Sequence, residues 1–324
     1  MSFQKAPVGI LLINIGTPSS PEVSDVRAYL REFLSDARTL DMPAPLRWLR
    51  LKLIIRPTRP PKSAEAYRAI WTERGSPLLF HGEDLAAKLE AQLGPENARV
   101  RLGFHYGAPN LVDVLGEFRD MGIDRILCVP LYPHYSAAAT GSALERVMNV
   151  ARERWVVPNL QFIPPFFDHP SFIDAQSSLM KAALAGVDFD HLLFSYHGLP
   201  ERHCSRTADT GAHCLKSPGC CDALVEANRN CYRAQCFHTT RALTQALGLD
   251  PATVSTAFQS RLGRTPWIKP YTEVVIPELA RAGVKRLAVV EPSFVADCLE
   301  TLEEIGIRGR ELFEEAGGEA LHLI

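Results

Sequence analysis

A histidine that follows a short, largely apolar run is the first candidate for chemistry. His197 comes directly after residues 191–196 and before Gly198. The run predicts a buried strand, and ligands of parallel α/β sheets bind beyond the carboxyl ends of the strands. A lone histidine usually has a packing role, but at a strand end a neutral imidazole can accept a proton or bind a metal. The position therefore favours a functional role for His197.

Three carboxylates lie close together near the end of the sequence. Residues 293–306 are predicted to form a helix, because a Pro-Ser pair opens the segment and a glycine closes it. Asp297, Glu300 and Glu304 have the spacing i, i+3 and i+7, which would place them on one face of that helix. One explanation is a solvated acidic face. The other is a site beside the imidazole that binds a divalent ion and takes up protons, since this helix would also start at a strand end.

Six of the eight cysteines lie in one loop-like segment, residues 203–236. The close C-x2-C pairs of a structural zinc site are missing. Iron-sulfur clusters take four thiolates whose spacing varies between families. Small buried packing residues are the alternative explanation, but the Gly, Pro, Ser and Lys residues around them indicate a loop, so a bound metal or cluster is favoured. The cysteines are Cys204, Cys214, Cys220, Cys221, Cys231 and Cys236.

Residues 46–62 form a segment that is both cationic and apolar. It contains six Lys or Arg residues and no acid, interleaved with Leu, Ile and Trp. An amphipathic helix that runs into a Pro-rich loop is one interpretation. The alternatives are a lid over an apolar dianionic ligand and a contact with an anionic membrane surface.

The composition limits the possible classes of protein. The chain has 324 residues, of which 46% are hydrophobic, with 35 Lys and Arg against 37 Asp and Glu. This length predicts about two globular units and excludes wholesale disorder. The near-neutral charge disfavours nucleic acid as the main partner. Residues 7–15 are too few for a spanning helix and lack a cleavage site, so they predict a first strand and a cytoplasmic protein, in which cysteines stay thiols or metal ligands.

An internal duplication predicts the fold. Residues 11–18 resemble residues 192–200, with Gly16 aligned on Gly198, and residues 122–129 match residues 283–290 position by position. Helical stretches alternate with these strands, which predicts an α/β protein with two similar halves, each with a parallel sheet covered by helices. The carboxyl edges of the strands would carry Gly16, Tyr132, His197, Gln259 and Glu291. No dinucleotide or P-loop glycine motif follows a predicted strand, which disfavours nicotinamide and P-loop chemistry.

Five separated motifs resemble the ferrochelatase family, whose members insert ferrous iron into a porphyrin in haem synthesis. They occur in the family's order and span nearly the whole chain. The motifs are residues 12–18, 29–36, 195–200, 258–263 with 265–267, and 292–302.

The resemblance implies two Rossmann-like, chelatase-like halves. Residues 1–163 would form the N-terminal half with a porphyrin lid, and residues 164–324 the C-terminal half with the catalytic residues and the cysteine-rich loop. His197 and Glu300 would face each other across the macrocycle. Many relatives carry Arg where this chain has His105. The remaining implied roles are the metal site, with His197, Glu300 and Glu304, the propionate contacts Arg59, Tyr67 and Ser76, and the ring contacts Tyr132 and Trp267.

The cysteine-rich loop resembles the internal segment of certain bacterial ferrochelatases that bind a [2Fe-2S] cluster. By that likeness the ligands are Cys214, Cys220, Cys221 and Cys231, with Cys204 and Cys236 as reserves. Because metal insertion transfers no electron, a structural or sensing role is expected for the cluster.

The predicted activity is insertion of Fe²⁺ into protoporphyrin IX or coproporphyrin III with release of two protons. His197 would accept a pyrrole proton, and Glu300 would relay protons or hand over the metal. The expected partners are the porphyrin, the ferrous ion and a peripheral membrane contact, in a monomer or homodimer. Two alternatives are a chelatase for another tetrapyrrole or metal and a non-catalytic haem or metal-binding redox sensor.

Overall fold

The computed structural model describes residues 7–208, 211–263 and 265–324, without the side chains of Arg50 and residues 54–57. The chain divides into two compact units. Unit 1 comprises residues up to 132, 137–164 and 296–298. Unit 2 comprises residues 133–136, 165–295 and 299–324.

Unit 1 contains a four-stranded sheet in which all strands are parallel. The strands are β1 (Val8–Asn14), β2 (Ala98–Phe104), β3 (Arg125–Pro130) and β4 (Asn159–Phe162), in the order β2-β1-β3-β4. The helices are α1 (Val23–Ser35), α2 (Ala44–Arg50), α3 (Arg56–Ile70), α4 (Pro77–Leu93), α5 (Leu111–Asp120) and α6 (Ser142–Arg152). Two π-helical turns, Leu51–Ile55 and Ala137–Gly141, precede α3 and α6.

Unit 2 repeats this arrangement. Its strands are β5 (His191–His197), β6 (Val254–Gln259), β7 (Arg286–Val290) and β8 (Ala320–Leu323), in the order β6-β5-β7-β8 and all parallel. The helices are α7 (Pro170–Leu184), α8 (Glu201–Ser205), α9 (Tyr232–Leu247), α10 (Thr272–Arg281) and α11 (Arg310–Glu315). Short 3₁₀ turns lie at Glu226–Asn228 and Pro251–Thr253, and a π-helix spans Glu300–Gly309. The predicted pair of parallel α/β units is therefore confirmed.

The central strand of unit 2 is buried on both faces. Leu192, Phe194 and Tyr196 pack into one hydrophobic cluster, while Leu193 packs into a second cluster with Ala257. Successive side chains of a strand point to opposite faces, so a strand covered by helices on both sides needs apolar residues at nearly every position. This explains the unbroken apolar run that precedes His197.

The helix predicted over residues 293–306 is wrong for residues 293–298, and only its second half is helical. The chain instead turns at this point, because the Phe294 amide donates to the carbonyl of Glu291, with Pro292 in the second position of the turn. The π-helix then begins at Glu300. Asp297 therefore lies before the helix, in unit 1, with one carboxylate oxygen 4.0 Å from Nε2 of His81. The three carboxylates do not share one helical face.

The π-helix has its own side-chain spacing. Arg308 and Glu303, five residues apart, form an ion pair with a shortest distance of 2.9 Å. The i to i+5 hydrogen bonds of a π-helix bring residues at this spacing onto one side. The widened turn is thus held by a charged pair as well as by its backbone.

Residues 46–62 are helical, so the predicted Pro-rich loop is also wrong. The segment lies in α2, a π-turn and α3, and Pro60 and Pro61 are inside α3. The cations Arg50 and Arg56 of this segment fall among the side chains that the structure does not describe. Among the described residues, no helix is both long and apolar enough to cross a membrane.

Candidate functional site

His197 lies at the carboxyl end of β5 with one ring nitrogen engaged. Its Nδ1 is 2.7 Å from the carbonyl oxygen of Gly198. A carbonyl oxygen can only accept a hydrogen bond, so Nδ1 carries the proton and Nε2 of the neutral ring has a free lone pair. No side chain or backbone group in the described part of the chain bonds to Nε2. The half-buried imidazole is therefore oriented as a proton acceptor or a metal ligand.

A buried glutamine connects this histidine to the acidic π-helix. Gln259 pairs with His197 in the ladder between β5 and β6. Its Nε2 donates to the backbone carbonyl of Glu300 over 2.9 Å, and its Oε1 accepts from the hydroxyl of Ser195. The Ser195 hydroxyl is also 2.9 Å from that of Thr272. Because such buried polar groups are costly to leave unpaired, this chain of bonds fixes the start of the π-helix beside His197.

Glu300 and Glu304 of the π-helix are used differently. Both carboxylate oxygens of Glu304 accept from Ser260, one from its amide at 2.8 Å and one from its hydroxyl at 2.6 Å. Ser260 has a φ of 64°, a left-handed conformation that a non-glycine residue rarely adopts. Glu304 therefore stabilises a strained turn directly after β6. The half-buried carboxylate of Glu300 has no hydrogen bond or ion pair with any residue that the structure describes.

Trp267 closes one side of this site. Its ring centroid lies 6.4 Å from that of His197, and its Nε1 donates to the carbonyl of Leu262 over 3.0 Å. A side chain at position 198 would collide with the carbonyl oxygen of Gln259 and contact the indole. Gly198 thus permits the close packing of the loop after β5 against Trp267.

The predicted site residues of unit 1 lie on α3, just before α4 and just after β3. Buried Ser76 accepts from the Thr17 hydroxyl over 2.8 Å, and buried Tyr67 packs its ring against that of Tyr29. Arg59 is half-buried, about two turns before Tyr67 on α3. Tyr132 follows β3, and its hydroxyl is buried without a hydrogen-bond partner among the described residues.

The cysteine-rich loop gathers five thiols in unit 2. The Cys231 thiol interacts with those of Cys204, Cys214 and Cys221, and the sulfur atoms of Cys220 and Cys221 are 3.7 Å apart. Cys236 instead contacts Tyr232. Residues 209 and 210 of the loop lie outside the described residues. In the described part of the chain, no three His, Cys, Asp or Glu side chains are arranged to hold a single metal ion.

The contacts between these thiols keep them protonated. The pKa of the Cys221 thiol is raised by its interaction with the Cys231 thiol and, next, by burial. The pKa of the Cys231 thiol is raised above its ordinary value by its interaction with the Cys204 thiol, together with burial. Both are therefore thiols at neutral pH, and a metal that binds here must displace their protons.

Comparison with known proteins agrees with this architecture. The ferrochelatase family model matches residues 7–324. Ferrochelatase from Legionella pneumophila strain Philadelphia 1 is 47% identical over 311 residues, which are 96% of this chain and 91% of that protein. Ferrochelatase from Pseudomonas fluorescens strain SBW25 is 44% identical over 320 residues, 97% of this chain and 92% of that protein.

More distant solved structures include the Bacillus subtilis protein SirB with Fe³⁺, at 13% identity and a TM-score of 0.48, covering 98% of this chain and 87% of that chain. CbiX, described as the terminal enzyme of sirohaem biosynthesis in denitrifying bacteria, has 14% identity and a TM-score of 0.46, covering 98% and 90%. The match to the family model over residues 7–324, together with the Legionella and Pseudomonas relatives, defines a metal chelatase. More narrowly, the chain belongs to the ferrochelatase family.

Gln259 was predicted at the sheet edge without a role. Its contacts with Ser195 and Glu300 join three separate segments, so no local pattern could reveal them. Its position opposite His197 in the strand alignment was the available signal.

We expect Gln259→Leu to destabilise the protein and to lower metal insertion. The change leaves the Glu300 carbonyl without its partner and the Ser195 hydroxyl with Thr272 alone, which costs about 1–3 kcal/mol. Thermal unfolding and Zn²⁺ insertion measured on the same preparations test this, with exposed Gln245→Leu on α9 as the control. Equal melting temperatures for the two variants would contradict the positioning role.

Proposed function

We propose that this protein inserts Fe²⁺ into a porphyrin, with release of two protons, as a step of haem synthesis. The observation that carries the proposal is the orientation of His197, whose Nδ1 is bonded to the Gly198 carbonyl and whose Nε2 is left to accept a proton. Family membership over residues 7–324 supports the same activity. No electron transfer and no nucleotide are required, because a divalent cation replaces two protons on the ring.

In this proposal His197 accepts a pyrrole proton at Nε2. The N–H bond breaks, and its electron pair stays on the pyrrole nitrogen to bind the metal. The carboxylate of Glu300 relays a proton or hands over the ferrous ion, since no described residue engages it. We assign Glu304 a positioning role rather than that of a metal ligand, because both of its oxygens accept from Ser260.

We further propose that Trp267 and Tyr132 contact the ring and that Arg59, Tyr67 and Ser76 lie near its carboxylates. The indole beside His197 and the unpartnered Tyr132 hydroxyl support the first part. The guanidinium of Arg59 supplies the charge that a propionate requires. The substrate is protoporphyrin IX or coproporphyrin III, which competition between the two rings at matched detergent concentration distinguishes.

The cysteine-rich loop is proposed to bind a [2Fe-2S] cluster through Cys214, Cys220, Cys221 and Cys231. A [2Fe-2S] cluster is held by four Cys thiolates. The four thiols must therefore lie in one region, but they need not converge on a single metal position. The contacts of Cys231 and the short distance between Cys220 and Cys221 support this donor set. Cys204 also contacts Cys231 and remains the reserve ligand, whereas Cys236 packs against Tyr232.

We also propose that residues 46–53 make a peripheral contact with an anionic membrane and that the protein is otherwise cytoplasmic. Leu46, Trp48, Leu49 and Leu53 are exposed. The ammonium of Lys52 lies 4.8 Å from the centroid of the Trp48 ring. Exposed Trp and Leu beside cations are typical of segments that lie in a membrane interface.

We expect His197→Ala and Glu300→Gln each to lower anaerobic Fe²⁺ or Zn²⁺ insertion by about 10²- to 10⁴-fold, the usual contribution of a proton-transfer group. His169→Asn, which keeps a cap at the start of α7, and Glu311→Gln on the exposed side of α11 are the matched controls and should retain activity. Wild-type rates from either site variant would refute the assignment.

Protein purified without oxygen is expected to be coloured and to carry two iron and two sulfide per chain, the content of a [2Fe-2S] cluster. Cys231→Ser should lose both, while Cys128→Ser, a buried thiol of unit 1, should keep them. The visible spectrum with iron and sulfide analysis measures this. A colourless protein with one zinc would contradict the cluster.

Binding to vesicles tests the membrane contact. Wild-type protein should sediment with phosphatidylserine vesicles, and Trp48→Ser combined with Leu53→Ser should weaken this, because the exposed apolar side chains are removed. Trp155→Ser replaces a fully exposed tryptophan elsewhere in unit 1 and serves as the control. Equal sedimentation of all three proteins would overturn the assignment of this surface.

A further inference from the structure

A residue of the cysteine-rich loop has a left-handed backbone. Leu215, which follows Cys214, has a φ of 61°. The Lys216 amide donates to the carbonyl of His213 over 3.3 Å, so Leu215 is the third residue of a turn. At a positive φ this position normally carries Gly or Asn. A leucine held there costs free energy, and such strain persists only where the surrounding structure requires it.

This turn sets the direction of the Leu215 amide. The N–H of Leu215 donates to the sulfur atom of Cys220 over 3.4 Å. The same sulfur lies 3.7 Å from that of Cys221. The strained turn therefore places a backbone donor beside one of the sulfur atoms proposed to bind the cluster.

The backbone of Cys220 is held by two further residues. Nδ2 of Asn228 donates to the Cys220 carbonyl over 2.9 Å, and Nε2 of His213 is 3.0 Å from the same oxygen. Asn228 is 1% exposed, its Oδ1 accepts from the Val225 amide over 2.7 Å, and its carbonyl accepts from the Cys231 amide over 2.8 Å. Asn228 thus ties Cys220 to Cys231, another proposed ligand.

Packing alone does not explain the turn. Leu215 packs against the hydrophobic core cluster of unit 2, but Leu224 of the same loop packs against that cluster without a positive φ. A leucine can therefore fill this kind of position with an ordinary backbone. The hydrogen bond to the Cys220 sulfur is the contact made by the backbone of the left-handed residue.

We propose that Leu215, through its backbone amide, and Asn228, through its side-chain amide, hold Cys220 in place as a ligand before the cluster binds. The inference rests on the cluster proposed above for this loop. Both are positioning residues that act through Cys220. When Cys220 binds iron, its thiol proton passes to solvent and a sulfur lone pair forms the bond to iron. The Leu215 N–H then donates to an anionic sulfur, which strengthens the hydrogen bond.

Three variants separate the backbone of residue 215 from its side chain. Valine is β-branched and does not tolerate a positive φ, whereas asparagine does, so Leu215→Val should open the turn and Leu215→Asn should keep it. Leu224→Val makes the same change at the control position. Oxygen-free protein is mixed with EDTA, and loss of the cluster is followed by its visible absorbance. We expect Leu215→Val to lose the cluster about tenfold faster than wild type, and the other two to match wild type.

The hold on Cys220 before the cluster binds is tested on full-length protein from which the metal has been removed. Trypsin can cleave the loop at exposed Lys216 and Arg229. Asn228→Ala removes a buried donor and should speed this cleavage about tenfold. Asn230→Ala removes an exposed amide two residues away and is the control. Equal cleavage of wild type and Asn228→Ala would contradict the role of Asn228.

Pulsed EPR of the dithionite-reduced cluster measures the Leu215 hydrogen bond directly. In protein labelled with ¹⁵N at leucine, wild type should show a backbone nitrogen coupled to the cluster. Leu215→Asn should keep the cluster but lose this coupling, because residue 215 then carries no label. Leu224→Asn should keep both. Side-chain packing by Leu215 would not produce this signal.

No coupling in wild type, or an unchanged coupling in Leu215→Asn, would overturn the inference. Equal rates of cluster loss in Leu215→Val and Leu224→Val would overturn it as well. A colourless wild-type protein would instead refute the proposed cluster itself, while the trypsin comparison tests the hold on Cys220 independently of any cluster.

Discussion

The hydrogen bond from Nδ1 of His197 to the Gly198 carbonyl is the interaction on which the site depends. It fixes which ring nitrogen is free to accept a proton. Gln259 holds the loop that follows β5, because its carbonyl accepts from the Gly198 amide over 2.8 Å. Its side chain donates to the Glu300 carbonyl. One residue at the end of β6 thus positions both the imidazole and the first residue of the π-helix. A rigid sheet edge, rather than a flexible loop, sets the geometry of the proposed proton acceptor.

The cysteine-rich loop belongs to the same unit as this edge, and α9 connects them. Cys231 is the N-cap of α9. Further along this helix, the Thr240 hydroxyl lies 2.9 Å from that of Tyr196, the residue before His197. Phe237 packs against Phe258, the residue before Gln259. A cluster bound at the start of α9 would therefore stabilise the helix that supports both strand ends, which gives a structural role to a group that has no electron to transfer in metal insertion.

The sequence predicted the duplicated parallel fold and the strand-end position of His197 because both leave periodic signals. It failed at the start of the helix predicted over residues 293–306, where a Pro-Ser pair begins a turn, and the π-helix that follows at Glu300 has no distinct sequence pattern. Glu304 accepts from Ser260, which lies far away in the chain, so no sequence pattern reveals the contact. For this reason the sequence suggested a metal-binding role for Glu304 instead of a positioning role. The protonated nitrogen of His197 follows from a single neighbouring atom, the Gly198 carbonyl oxygen, which only coordinates provide.

The central claim is that resting His197 carries its proton on Nδ1 and offers Nε2 as the acceptor. ¹⁵N NMR of protein labelled at its histidine ring nitrogens distinguishes the two tautomers directly, and subtraction of the His197→Ala spectrum assigns the signals. The account predicts a protonated Nδ1 and an unprotonated Nε2 for the neutral ring. A proton on Nε2, with Nδ1 bare, would contradict it.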